Sequence, residues 1–282
     1  MSTYPSAAAF LSDAQLRVEA FNRDKLGLLV VEGPNDQRLF GRHAVSRQQV
    51  MPAAGQRLLL AAHELATRDN RQAIIFLTDC DYGVRLREFR AAPGLVITSG
   101  TDIESDLIDL GILHEVVAEI VPDALGEQLE VAEIVERSLN EAIAFARPLG
   151  RIRMASKPLG VPLELEKIPH SKYWPRGGSG VDVSKMLRTT LQKLRAEHSI
   201  SLADWSGRVD QTPQDDGMCH GKDLVRAFWY SLSKRYNLAV DVEVDTIARL
   251  MRANLWPDRL EQLDVVKRIR KWEQSTGFRI FR

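Results

Sequence analysis

The chain has 282 residues, 44% hydrophobic and 27% charged, and its 38 basic residues balance 38 acidic ones. That is the composition of a globular protein with a sizeable core, as one large domain or two, and it excludes a low-complexity chain. Two cysteines, Cys80 and Cys219, make neither a disulfide framework nor a zinc-ligand spacing, which points to a reducing cytoplasm. The first residues lack the basic start and long apolar core of a signal peptide, and no run approaches the length of a membrane span.

In chain order, Ala7 to Asp24 has helical spacing in Phe10, Leu11, Leu16, Val18 and Phe21. Leu26 to Val31 is an unbroken apolar run, read as a buried strand, and it ends in Glu32-Gly33-Pro34-Asn35-Asp36. Gly33 permits a tight turn, Pro34 or Asn35 starts a helix that runs to Ala44, and Asp36 falls in its first turn. A short strand at Val50-Met51 and a turn over Pro52 to Gly55 precede an amphipathic helix from Gln56 to Thr67. The next strand begins at Ala73 in the stretch AIIFLTDCDYG, an apolar run that ends in two carboxylates before Gly83 turns the chain away. Alternation along a strand would put Asp79 and Asp81 on one side and Cys80 on the other. A further strand, Leu95 to Thr98, leads through Thr101-Asp102-Ile103-Glu104 into a helix from Ile103 to Leu113. Strands alternating with helices of this length predict a parallel α/β layer with helices on both faces.

The second half reads as mainly helical. Glu115 to Arg147 is acidic with a break at Pro122, and Val183 to His198 is a basic helix. Asp223 to Tyr236, Asp245 to Asn254 and Asp258 to Gln274 read as further helices. Pro148 to Gly180 shifts to Pro, Gly and basic residues, and inside it Lys172-Tyr173-Trp174-Pro175-Arg176 interleaves cations with aromatic rings. Cations for phosphates and flat rings for bases suit single-stranded or looped nucleic acid, although a surface loop with Trp174 folded onto the core has the same composition. Charge is segregated along the chain. Residues 99–146 hold twelve Asp or Glu against Arg137, and residues 147–195 hold eleven Lys or Arg against three acids. The last sixteen residues hold six Lys or Arg against Glu273. Such asymmetry provides a footprint for an anionic polymer, or simply solvated helix faces.

Three apolar strands therefore end in acids: Glu32, then Asp79 and Asp81, then Glu104. Ligands of open α/β sheets bind beyond the carboxyl ends of the strands. Clustered carboxylates in a partly desolvated place repel one another unless a cation sits among them. Hard oxygens without His or Cys suit Mg²⁺ or Mn²⁺. Glu104 also fits a capping box with Thr101, and Asp36 fits a first-turn helix charge. Gly217 to Asp223 has one residue too few between its glycines for a phosphate-binding loop, and no Ser or Thr follows Lys222. Nothing marks Tyr82 as a nucleophile.

VVEGPND, FLTDCDYG and TDIESDL together resemble a TOPRIM domain. The resemblance is nearest to the standalone TOPRIM-like effector nucleases of bacterial phage defence, among them the PARIS effector, and to OLD-type nucleases. It covers residues 26–113 well and residues 217–235, with His220-Gly221-Lys222-Asp223, faintly. It implies that Glu32 is the general acid/base glutamate, that Asp79 and Asp81 are a metal-binding pair, and that Glu104 is a further metal ligand. Asp36 and Lys222 match supporting positions. It implies a TOPRIM-like domain over 1–113 and a helical part over 114–282, and a Mg²⁺- or Mn²⁺-dependent endonuclease acting as a toxic effector. The expected substrate is tRNA or other RNA, with DNA second. The expected partners are a separate ATPase and a second copy in a homodimer. The competing expectation is a non-catalytic subunit whose acids bind a structural ion.

Overall fold

The computed structural model describes residues 4–120, 130–160, 163, 165, 172–173, 181–195, 199–236 and 244–282. The chain divides into two units, one built from residues 1–99 and 255–282, the other from residues 100–254. Among the described residues no helix is long and apolar enough to cross a membrane.

The first unit is an α/β layer around four parallel strands: β1 (Leu28–Val31), β2 (Val50–Pro52), β3 (Ile74–Thr78) and β4 (Leu95–Ile97). Their order is β2-β1-β3-β4. Every residue of β1, β3 and β4 is buried, as unbroken runs of Leu, Ile, Val and Phe require when helices cover both faces. Alternate residues Leu28, Val30, Ile74, Phe76, Leu95 and Ile97 form one core face. It packs on Phe10, Leu11, Ala14 and Val18 of α1 (Ala7–Phe21) and on Leu59, Ala62 and Ala66 of α3 (Gln56–Arg68). The intervening residues point the other way. Between α1 and α3 in sequence, α2 (Pro34–Gly41) contacts β2. After the strands, α11 (Pro257–Leu260) is a single turn, and α12 (Asp264–Thr276) packs on β3 and β4 with Val265, Val266 and Ile269 buried.

The tail after α12 completes this unit. Gly277 turns the chain in the left-handed region at φ 75°, and the tail then runs beside the start of β1. The Gly27 N–H donates to the Arg279 carbonyl (3.0 Å), and Gln49 Nε2 donates to the Gly27 and Arg279 carbonyls (3.0 and 2.7 Å). Ile280 and Phe281 are buried. The division thus falls after Ser99, with residues 255–282 returned to the sheet unit, and not after residue 113. Backbone hydrogen bonds and burial at long sequence separation decide this, and no local pattern carries that information.

The second unit is helical: α4 (Ile103–Asp109), α5 (Leu113–Ile120), α6 (Val131–Ser156), α7 (Val183–Leu194), α8 (Leu202–Asp210), α9 (Gly221–Tyr236) and α10 (Val244–Ala253). The helix expected over Ile103 to Leu113 is broken at Gly111, which is left-handed at φ 76°. The composition change at Pro148 does not end a helix. α6 runs through Pro148, because Ile134, Val135, Ser138, Ala142, Phe145, Leu149 and Ile152 continue one buried stripe, and α6 packs along α9. That burial outweighs the lost Pro148 N–H bond, about 3 kcal/mol for an interior proline. The helix α8 has no counterpart in the periodicity reading. Ser201 caps it, accepting from the Asp204 N–H, and Trp205 is fully buried with Nε1 donating to Thr190 Oγ1 (3.1 Å).

Candidate active site

The sheet order places the first acids. The chain goes from β1 outward to β2 and returns on the other side of β1 to β3, so the direction reverses between β1 and β3. In open α/β sheets that switch point, at the carboxyl ends of the strands, is where ligands bind. Val31 pairs with Leu77, so Glu32 and Thr78 leave their strands side by side at this point.

Glu32 is half-buried there, and one oxygen takes its hydrogen bonds. Thr78 Oγ1 (2.6 Å), the Asp79 N–H (2.8 Å) and Gln56 Nε2 (3.3 Å) all donate to Glu32 Oε1. Gln56, the first residue of α3, also donates to Thr78 Oγ1 (3.2 Å) and to the Asp79 carbonyl (2.9 Å). It therefore ties both strand ends to the helix. Neither Gln56 nor Thr78 stood out in the sequence, because a lone glutamine at a helix start has no local signature. Burial pushes the Glu32 carboxyl above the usual carboxylate range, the three hydrogen bonds pull it down, and the nearby Asp81 charge adds to the rise.

Asp79 and Asp81 do not share a strand face. β3 ends at Thr78, where Cys80 N–H donates to Thr98 Oγ1 (2.9 Å) instead of continuing the ladder. Asp81 and Tyr82 then take left-handed backbone at φ 40° and 67°. Two consecutive non-glycine residues there cost on the order of 1 kcal/mol or more each, and the turn is over-determined by its surroundings. Tyr82 is buried, and a Cβ at Gly83 would lie 2.0 Å from the Phe89 ring. Turn geometry, not the two-residue period, thus positions Asp81. Asp36 Oδ2 accepts from the Gly33 N–H (3.1 Å), closing the start of α2 as a first-turn acid does.

Glu104 lies in the second unit and is 5% exposed, with Arg252 Nη1 3.1 Å from its Oε1. Burial and the Asp102 charge raise its carboxyl, while Lys222 and Arg252 lower it. It is not half of a capping box with Thr101. The cap of α4 is one residue later: Asp102 Oδ1 accepts from the Ser105 N–H (2.9 Å) and the Asp102 N–H donates to Ser105 Oγ (3.1 Å). Thr101 Oγ1 instead donates to the Cys219 carbonyl (2.7 Å).

The His220-Gly221-Lys222-Asp223 step docks the start of α9 on the start of α4. Fully buried Asp102 takes the Gly221 N–H (3.1 Å) on Oδ1, and its Oδ2 lies 2.9 Å from His220 Nδ1. The two groups form an ion pair when the imidazole is protonated. Burial pushes the Asp102 carboxyl up; His220, the Ser105 N–H and Lys222 outweigh it and hold it at about 2. A Cβ at Gly221 would meet Asp102 Oδ1 at 2.2 Å and the Ser105 nitrogen at 2.5 Å, so glycine is required. Asp223, also buried, takes a bidentate pair from Arg153 (3.0 and 3.1 Å). Lys222 itself is exposed. Burial raises the Cys219 thiol to about 12, which removes it as a nucleophile at neutral pH.

Of the aromatic and basic stretch, Trp174 and Arg176 lie outside the described residues. Tyr173 has no ring face to offer a base: it is 3% exposed, its hydroxyl donates to Thr189 Oγ1 (3.0 Å), and Lys185 Nζ sits 5.7 Å from the ring centre. Lys172 is exposed, and its carbonyl accepts from Lys185 Nζ (2.9 Å).

Among the described residues no three His, Cys, Asp or Glu side chains form a ready metal-holding group. The donor chemistry of Glu32, Asp79 and Asp81 nevertheless fits a hard divalent ion, and the Asp81 charge that raises Glu32 is a repulsion such an ion would relieve. An ion there would have to draw the three carboxylates together. No protein-family model and no curated protein matches the chain.

Proposed function

We propose that this chain is a metal-dependent phosphodiesterase, an endonuclease of the TOPRIM kind. In this reading it is a cytoplasmic toxic effector of anti-phage defence, cleaving tRNA or other RNA in preference to DNA and released by a separate ATPase. The observation that carries the chemistry is the half-buried Glu32 at the β1/β3 switch point, held by one oxygen beside Asp79 and in the field of Asp81. The biology rests on the sequence resemblance. A Mg²⁺ or Mn²⁺ ion held by Glu32, Asp79 and Asp81 would supply charge neutralisation to a phosphodiester. The protein's own part is proton handling and orientation. A raised glutamate takes up and returns a proton nearer neutrality than an ordinary one. Thr78, Gln56 and the Asp79 N–H fix Oε1, which leaves Oε2 for another ligand.

The test compares the full-length wild type with Glu32→Gln and with Asp79→Asn/Asp81→Asn on labelled tRNA, single-stranded RNA and DNA, with Mg²⁺ or EDTA. Glu32→Gln should lose cleavage by roughly 10²–10⁴-fold, the range general acid/base groups contribute, and Asp79→Asn/Asp81→Asn should lose it together with the response to Mg²⁺. Glutamine keeps an oxygen for the three donors and carries no charge to desolvate. A carboxyl raised in the folded state costs stability once ionised, so Glu32→Gln should melt at or above wild type at pH 8. The difference should vanish at pH about 4, the ordinary carboxylate range. A folded Glu32→Gln protein that cleaves at the wild-type rate would sink the proposal. The three hydrogen bonds on Oε1 also suit a second reading, in which Glu32 is a structural clasp in a non-catalytic subunit. Wild type that cleaves none of the three substrates in Mg²⁺ or Mn²⁺ favours that reading.

A further inference from the structure

A cavity of about 660 Å³ opens in the sheet unit at the amino ends of β3 and β4, the edge opposite the acids. The five residues of β3 separate the two edges by roughly 16 Å of strand. The size lies within the range of small-ligand sites, roughly 300–1,000 Å³. Its charged lining is one-sided: Arg71, from the loop between α3 and β3, and Lys271, from α12, line it, and among the described residues no acid does. Both cations are exposed, and among the described residues neither has an acidic partner. That is notable for Lys271, because its neighbours in the basic C-terminal stretch are engaged. Lys267 pairs with Asp264, Arg270 with Glu261 and Glu273, and Arg268 donates to the Ile97 carbonyl.

The third element of the lining is an aromatic ring. Trp272 lines the cavity, stacked on Phe278 (6.3 Å between centres, 22° between planes), and its edge abuts Gly27, where a Cβ would lie 2.6 Å from Cη2. The indole is therefore held in place before any ligand arrives. Asn70 and Gln72 add amide groups. His63 is committed elsewhere, with Nε2 2.9 Å from the Pro93 carbonyl and 3.2 Å from Thr67 Oγ1.

We propose that this cavity binds a phosphorylated nucleoside. Arg71 and Lys271 take the phosphate, Trp272 stacks on the base, and the Asn70 and Gln72 amides reach its polar edge. Two cations without acids select an anion, and a fixed indole beside them selects one that carries a flat ring. The ligand is either a free nucleotide or the 5′-phosphorylated end of a strand, and the site does not depend on the phosphodiesterase reading.

The test is calorimetric titration of the full-length protein in EDTA with AMP, adenosine, inorganic phosphate, and a six-nucleotide DNA with or without a 5′-phosphate. Adenosine and inorganic phosphate should each bind at least about 10-fold more weakly than the phosphorylated nucleoside. Arg71→Ala/Lys271→Ala should weaken binding by a similar factor with an unchanged Tm, since both side chains are exposed. Trp272→Phe should retain more affinity than Trp272→Ala. AMP binding identifies a free nucleotide. Binding of the 5′-phosphorylated oligonucleotide alone identifies a strand end. The proposal is overturned if neither binds, if adenosine binds as tightly as AMP, or if the double variant binds like wild type.

Discussion

Asp102 shows how one buried acid organises a neighbourhood. It caps α4 and receives the α9 N-terminus through Gly221, both on Oδ1, while its Oδ2 lies beside His220. Its pKa is held at about 2, below the unfolded value of about 3.9. A depressed carboxyl contributes stability that is fully present above the unfolded pKa and is lost as pH falls through the folded one. The window therefore runs from about pH 4 down to about pH 2, and the contribution is on the order of 2 kcal/mol. Asp102→Asn should be less stable than wild type at pH 7, and the gap should narrow steadily from pH 4 to pH 2 in urea unfolding. A gap that stays constant over that range would mean that the charge of Asp102 is not what matters. Glu32 and Glu104 run in the opposite sense: both are raised, burial being the first cause, so both cost stability when ionised. Each stands in the field of another acid, Asp81 for Glu32 and Asp102 for Glu104, but Glu104 also has the charges of Lys222 and Arg252 to offset it.

At the scale of elements, α6 is the instructive case. A 26-residue helix with a proline at position 148 breaks a strong local rule, and it does so because its apolar stripe continues on both sides of the break against α9. The Ala144 carbonyl loses its helical donor, and the ring crowds the preceding turn. Pro148→Ala should restore that bond and stabilise the second unit by about 1–3 kcal/mol, seen as a higher urea midpoint. A lowered midpoint would mean that the proline ring makes packing contacts that alanine does not replace. The strand ends make the complementary point. β3 stops at Thr78 because Cys80 turns its N–H to the Thr98 hydroxyl, so the acids after it are placed by a strained turn and not by strand alternation.

At the scale of the whole molecule, the first unit is closed by residues more than 200 positions from those they meet. Phe281 is 1% exposed, lies 6.3 Å from the Phe40 ring centre, and has the Arg270 guanidinium 5.5 Å from its own. Phe281→Ala should cost about 3–5 kcal/mol. By native-state hydrogen exchange, the loss should speed exchange in β1 and β3 and leave α6 and α9 unchanged. Equal acceleration in α6 and α9 would show that the two units unfold as one.

The sequence alone determined the strands and the class of fold, because four short apolar runs with helical periodicity between them have one economical arrangement, a parallel layer covered on both faces. It also marked Glu32, Asp79 and Asp81, since acids directly after buried strands are conspicuous. It could not say that Gln56 and Thr78 bind Glu32, that Arg252 answers Glu104, or that Gly221 must be bare to admit Asp102. Each of those is a contact between residues far apart in the chain, and local periodicity holds no record of them. The turn at Asp81, the continuation of α6 through Pro148 and the return of residues 279–281 to the sheet have the same origin. In each, a long-range hydrogen bond or buried face outweighed a local preference worth at most a few kcal/mol, and only the folded chain brings the competing groups together.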